Sequence, residues 1–349
     1  MPNTDSMGMT DSMGMTDSMP NTDSITDTDI GPETDDPLVR EHRIKQQAAQ
    51  EQRRDSVVRI TRQTVTFALF LALLAGLYTG YKAFGQAIDD AQHDWPVVGS
   101  VLPRTDDLNM PPVGKIFGQF GETPGGQDRI YVHILFDEAI FTLREAFAGF
   151  MVGLVIGMVI ALALAQWRRL EQGLLPYVIA SQTIPLIAIA PIIVIWGRKN
   201  FDVFPWEWQD WMSVSIIATY LTFFPVAVNG LRGLQSPRPE NQELMESYAA
   251  NWTQTLWRLR LPASLPYLFA ALKIAATASI VGAIVGEISA GVEGGLGRRI
   301  LREAFNYTTG PDRLFASVLG AAVLGIFVFL VVTAVERLVV GNQTQESTT

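Results

Sequence analysis

Six apolar stretches of about 20 residues constrain this chain more than any other feature; they lie near 64–84, 145–166, 174–196, 211–231, 266–288 and 314–335. A helix of about 20 residues matches the roughly 30 Å hydrocarbon core of a bilayer. A buried helix in a soluble protein stays apolar for only some 10–14 residues, so six longer runs almost free of charge point to the membrane. The sequence predicts an all-α, polytopic membrane protein with six transmembrane helices. Lys and Arg are denser on the side of the N-terminus, so both termini are expected in the cytoplasm, beneath a cell (plasma) membrane. Lys273 lies within the fifth stretch near its cytoplasmic end, where it is expected to snorkel to the headgroups.

The 349 residues carry a formal net charge of −9, and its distribution matters more than its size. Residues 1–36 hold nine acidic side chains and no basic one, leaving the rest of the chain neutral. In the same segment Thr-Asp-Ser recurs from residues 4, 10, 16 and 22, with too little apolar surface to offset the entropy of ordering. A disordered acidic repeat tail is expected over 1–36, a basic juxtamembrane helix over 37–63 and a polar C-terminal tail over 339–349. No clustered basic surface suits nucleic acid. Zero cysteines removes disulfides, thiolate metal sites and Cys nucleophiles, and the three histidines, His42, His93 and His133, lie outside the apolar stretches. No metal site and no catalytic residue is expected. Gly294-Gly295-Leu296-Gly297 lacks the Lys of a phosphate-binding loop. The stretches show no acid at mid-depth, which weighs against a proton relay. Glu287, at the outer end of the fifth, is expected as a solvated or paired carboxylate.

Small residues recur every four positions in two stretches: Gly149, Gly153, Gly157, Ala161 and Ala165 in the second, and Ala278, Gly282, Gly286 and Ala290 in the fifth. In lipid such stripes let helix backbones approach closely. They serve packing within one subunit or a dimer interface. In the third stretch Gln182, Pro185 and Pro191 interrupt helical hydrogen bonding and can free carbonyls toward a cavity. Gln182 either lines a path through the membrane or bonds a neighbouring helix.

The sizeable polar loop, 232–264, carries a helix start at Ser236-Pro237-Arg238-Pro239-Glu240. Leu244, Met245, Tyr248, Ala249 and Trp252 then follow at helical spacing, opposite Glu240, Gln242, Glu243 and Ser247. One amphipathic helix is predicted, which either fills a groove on another protein or lies on the membrane.

This loop resembles the EAA motif of permease subunits of ABC importers, whose pattern runs Glu-Ala-Ala, three residues, Gly, nine residues, Ile-x-Leu-Pro. With Leu261-Pro262 as the anchor, Leu259 stands at the Ile, Ala249 at the Gly and Glu243 at the Glu, while Leu244 and Met245 replace the alanines. The stretches IASQTIPLIAIAPIIVIWG (179–197), FFPVAVNGLRGLQS (223–236) and IVGEISAGVEGGLG (284–297) resemble the nitrate, sulfonate and taurine branch of that family. The resemblance implies a type I-like six-span permease domain over 64–338. It also implies a homodimer, cytoplasmic ABC ATPase subunits that hold ATP and Mg, and an extracytoplasmic substrate-binding protein, with no cofactor in this chain. Glu243, Leu244, Met245, Tyr248, Ala249, Trp252, Leu261 and Pro262 would couple to the ATPase. The substrate implied is a small anion such as nitrate, a sulfonate or taurine; the alternative is a thiamine pyrimidine precursor or related heterocycle. A different class of function, an ATP-independent channel or secondary carrier, is separated from this by flux without ATP.

Overall fold

The computed structural model describes residues 61–62, 65–66, 68–88, 104–125, 128–200 and 208–340. The expected acidic tail, most of the juxtamembrane helix, the start of the first stretch at Thr64 and nearly all of the C-terminal tail lie outside the described residues. Among the described residues every regular element is helical. The chain divides into two units, Met1–Leu73 and Leu74–Thr349. In the first, the described residues are helical and expose Leu69, Phe70, Leu71 and Leu73.

The first long helix, α1 (Ala68–Ile88), continues into the second unit. There follow α2 (Val113–Gln119), α3 (Tyr131–Gln166), α4 (Arg168–Ser181), α5 (Leu186–Asn200) and α6 (Asp210–Leu234). The loop after α6 contains α7 (Pro239–Ser247), α8 (Trp252–Thr255) and a π-helical turn, Leu256–Arg260. The chain then enters α9 (Leu261–Ala290), α10 (Leu296–Phe305) and α11 (Pro311–Val340).

Five helices are long and apolar enough to cross a membrane: α1, α3, α6, α9 together with its preceding turns, and α11. The pair α4 and α5 passes only jointly, bent by 94°. The bend has a local cause: Pro185 has no N–H to donate and disfavours helical geometry at Ile184 before it. The second crossing is longer than its apolar stretch suggests, because α3 starts at Tyr131 and runs 36 residues. Its first turns carry His133, Asp137, Glu138 and Arg144, which mask the helix in a search for apolar runs.

The glycine stripes explain how α3, α6 and α9 fit together. A Cβ at Gly153 would lie 2.6 Å from the Cβ of Thr222, and one at Gly157 would lie 2.6 Å from the Phe223 carbonyl oxygen. On α9, a Cβ at Gly282 would come 2.8 Å from the Cα of Ala218. Gly149 and Gly286 likewise meet α6, at Ala218 and Val214. Both stripes therefore pack against α6 of the same chain. Hydroxyls reinforce the seam: Ser215 donates to the Glu145 carbonyl at 3.1 Å and Thr219 to the Gly149 carbonyl at 3.1 Å. Such bonds between spans contribute roughly 0.6–2 kcal/mol each. One apolar cluster, with Tyr131, Leu135, Val214, Ile280, Leu296 and Leu324, fills the end near α10; another, with Ala161, Leu164, Leu231, Leu234 and Leu256, fills the end near the 232–264 loop.

Candidate functional site

The loop between α6 and α9 is two helices with a kink rather than the single predicted helix. Glu243, Leu244 and Met245 sit on α7; Tyr248 caps it; Ala249 then adopts φ 51°, in the left-handed region. That is the glycine position of the motif, so the backbone keeps a glycine-like conformation with alanine in place. The chain restarts at Asn251, whose side chain accepts from the Gln254 N–H at 2.8 Å while Gln254 Oε1 accepts the Asn251 N–H at 2.9 Å.

This kink separates the residues expected on one face. Leu244 and Tyr248 remain 53% and 76% exposed, and Trp257, on the π turn, is 70% exposed. Trp252 turns the other way and packs with Leu261 against Ala161, Leu164, Leu231 and Leu234. Its expected place beside Leu244 is thus corrected: the left-handed residue rotates everything beyond it. Leu261 and Pro262 begin α9, and Arg260 donates to the Ala165 carbonyl at 3.4 Å, so the loop is tied to both α3 and α9.

The break between α4 and α5 gathers the second group of residues. Gln182 follows the last residue of α4, with its N–H donating to the Ile179 carbonyl at 3.2 Å. The Gln182 Nε2 is shielded and has no partner among the described residues. Pro185 stands in the break, Pro191 lies inside α5, and the Tyr220 hydroxyl of α6 donates to the Ser181 carbonyl.

At the opposite end of the bundle is a feature that sequence reasoning missed. After α9 the chain turns through Gly291, Gly294 and Gly295, with φ of 66°, 128° and 88°. The first amides of α10 then find oxygens from other helices. Gly295 N–H donates to Glu138, Leu296 N–H to the Thr142 hydroxyl at 2.9 Å, and Gly297 N–H to Glu287 Oε2 at 2.6 Å. Carboxylates at a helix N-terminus satisfy donors that the helix itself leaves open. Glu287 is fully buried, not solvated, and the Glu145 carboxyl lies against it. Glu145, the first residue of the second apolar stretch, is itself buried within α3. Two further buried ionic groups are paired: Arg299 reaches Glu303 at 3.1 Å, over the Tyr131 ring at 4.9 Å. Lys273 bonds Glu336 of α11 at 2.8 Å. A signal was present, since GEISAGVEGGLG places two acids, Glu287 and Glu293, among five glycines, but Glu138 and Thr142 are far away in sequence.

Five long apolar helices and one bent pair place the chain in the class of polytopic helical membrane proteins. The family model of the binding-protein-dependent transport system inner membrane component matches residues 153–341, and the chain belongs to this family of ABC importer permeases. It is 33% identical over 197 residues to the formylaminopyrimidine transport permease protein ThiX of Halalkalibacterium halodurans, covering 56% of this chain and 74% of that one. It is 30% identical over 265 residues to the riboflavin transport system permease protein RibX of Chloroflexus aurantiacus, covering 71% and 91%. The putative aliphatic sulfonates permease SsuC of Bacillus subtilis is 25% identical over 204 residues, covering 58% and 69%. Among solved structures, an inward-facing form of the MetNI methionine ABC transporter matches with a TM-score of 0.52 at 18% identity, over 61% of this chain and 99% of that one. This last likeness is one of fold.

Proposed function

We propose that this chain forms, as two copies, the substrate path of an importer driven by cytoplasmic ATPase subunits and fed by an extracytoplasmic binding protein. Both termini lie in the cytoplasm in this reading, and ATP with Mg is held by the partner. The observation that carries it is the exposed pair Leu244 and Tyr248, on a short helix joined through α8 and the π turn to the start of α9. An apolar helix face set in a groove of the ATPase moves with it. Because the loop is bonded to α3 and continuous with α9, that motion shifts the spans, converting one two-state equilibrium into another. Glu243, Met245, Ala249, Trp252, Leu261 and Pro262 hold the shape of this lever. Gln182, Pro185 and Pro191 are proposed to face the path, where the shielded amide of Gln182 would gain a partner from substrate.

The substrate proposed first is a small heterocycle, with the kinship to ThiX and RibX as support. Two charges within the spans point the same way: Lys82 and Lys273 are each already paired with a carboxylate, so neither offers an anion a free cation. The kinship to SsuC favours a small anion as the second reading. Thermal shift of the cognate binding protein against pyrimidines, flavins, sulfonates and nitrate separates them: stabilisation by a pyrimidine or flavin alone is expected, and stabilisation by a sulfonate or nitrate alone would reverse the order. Flux in vesicles without ATP or ATPase would instead support a self-contained channel or carrier.

A further inference from the structure

Arg144 and Glu145 are adjacent in sequence and lie about 100° apart around α3. Glu145 is 2% exposed and lies against Glu287, whereas Arg144 is exposed and, among the described residues, has no carboxylate partner. It lines a recess of about 400 Å³ between α3, α9 and α11, which runs along α3 from Ile140 to Phe150. Below it the recess is lined by Phe147, Phe150, Ile280, Phe327 and Val331, and no other charged residue contributes. Phe147, Phe327 and Val331 are 60%, 55% and 45% exposed, so the recess opens sideways out of the bundle.

The level of Arg144 along its helix follows from the sequence. Residues 146–166 contain no charged side chain and span roughly 30 Å, the thickness of the hydrocarbon core. Arg144 precedes that segment and therefore sits at headgroup depth, with the apolar recess beneath it. An unpaired guanidinium at this level is satisfied best by a phosphate, which it binds through two parallel hydrogen bonds. The recess below takes a chain of methylene groups.

We propose that this recess binds one anionic phospholipid, its phosphate on Arg144 and one acyl chain between α3, α9 and α11. The lipid fills a seam beside the Lys273–Glu336 pair, which joins the same two helices, α9 and α11. It thereby steadies α11, which has few buried residues of its own.

The test is native mass spectrometry of the full-length protein purified with defined lipid. Phosphatidylglycerol is expected to be retained over phosphatidylcholine by about fivefold, the effect of one basic residue at an anionic headgroup. Arg144→Gln should lose that preference, and Arg144→Lys should keep most of it. Val331→Trp, which fills the recess and leaves the charge, should reduce retention of both lipids. Equal retention of the two lipids by the unaltered chain, or an unchanged preference in Arg144→Gln, would overturn the proposal. So would a stabilisation by inorganic phosphate equal to that by phosphatidylglycerol. The chain has no cysteine, so Phe327→Cys gives a clean crosslinking probe. Disulfide formation between two copies in membranes would show a second copy covering the recess and would also overturn it; no crosslink is expected.

Discussion

The two ends of the α9 helix are built on opposite principles. Where α9 begins, the 232–264 loop is exposed and held by short-range devices: a proline-started turn, a left-handed alanine, and an Asn–Gln capping box within four residues. Where α9 ends, the glycine turn leads into a buried start of α10, Gly295 to Gly297, held by oxygens from Glu138 and Thr142, more than 150 residues away in sequence. The loop end keeps Leu244 and Tyr248 outside and its scaffold local. At the other end, removing the side chain of Glu138, Thr142 or Glu287 leaves an N–H at the start of α10 unsatisfied.

Substitutions at the buried end should act on folding. Gly295→Val is the most severe: it places a branched side chain at φ 88°, where even a Cβ collides with the Glu287 carboxyl. Loss of most folded material in detergent, read as monodisperse yield, is expected; an ordinary yield would mean that the turn is not clamped. Glu287→Ala should follow. It leaves the Gly297 N–H without its acceptor and opens a void, a cost on the order of 1–3 kcal/mol in thermal melts. Glu287→Gln, which retains an acceptor, should lose less.

The exposed end should respond by smaller steps. Ala249→Gly is expected to stabilise, by up to about 1 kcal/mol, because glycine adopts φ 51° without the Cβ penalty. Ala249→Val should destabilise, and equal melting temperatures for both would show that this residue is not left-handed in solution. The smallest effect belongs to a surface clamp, where Asp107 accepts from Lys82 at 2.6 Å and from Lys115 at 2.9 Å. These bonds, that from Lys82 first, lower the Asp107 pKa below the ordinary carboxylate value. Its contribution is therefore present above that ordinary value and fades as pH falls through the lowered one. Asp107→Asn should remove a slight acid-side loss of stability in melts taken as a function of pH; an unchanged acid limb would count against the clamp.

The same contrast explains what could be read from the chain alone. The spans are legible because length and the absence of charge are local properties, and the loop motif is legible because its spacing survives four changed residues, Leu244, Met245, Ala249 and Leu259. The kink after Ser247 was not, since a pattern at helical spacing continues through Tyr248, Ala249 and Trp252 whatever the backbone does there. Trp252 consequently changed sides, from the exposed face to the apolar cluster. The polar first turns of α3 hid 14 residues of helix because their partners, the glycine turn and α10, come from the far end of the sequence. Glu145 reads as the edge of an apolar run and proves to lie inside a helix against Glu287. Pairing across distance is invisible to any local count, and the ion pair of Lys273 with Glu336 is a second instance.

The central claim is that the exposed end transmits motion and the buried end does not. The double variant Glu243→Ala, Tyr248→Asp tests it in proteoliposomes holding the permease with its ATPase and binding protein, with substrate uptake and ATP hydrolysis measured together. The account requires an unchanged melting temperature, loss of uptake, and hydrolysis no longer stimulated by loaded binding protein. Undiminished uptake with a fully assembled complex would contradict it.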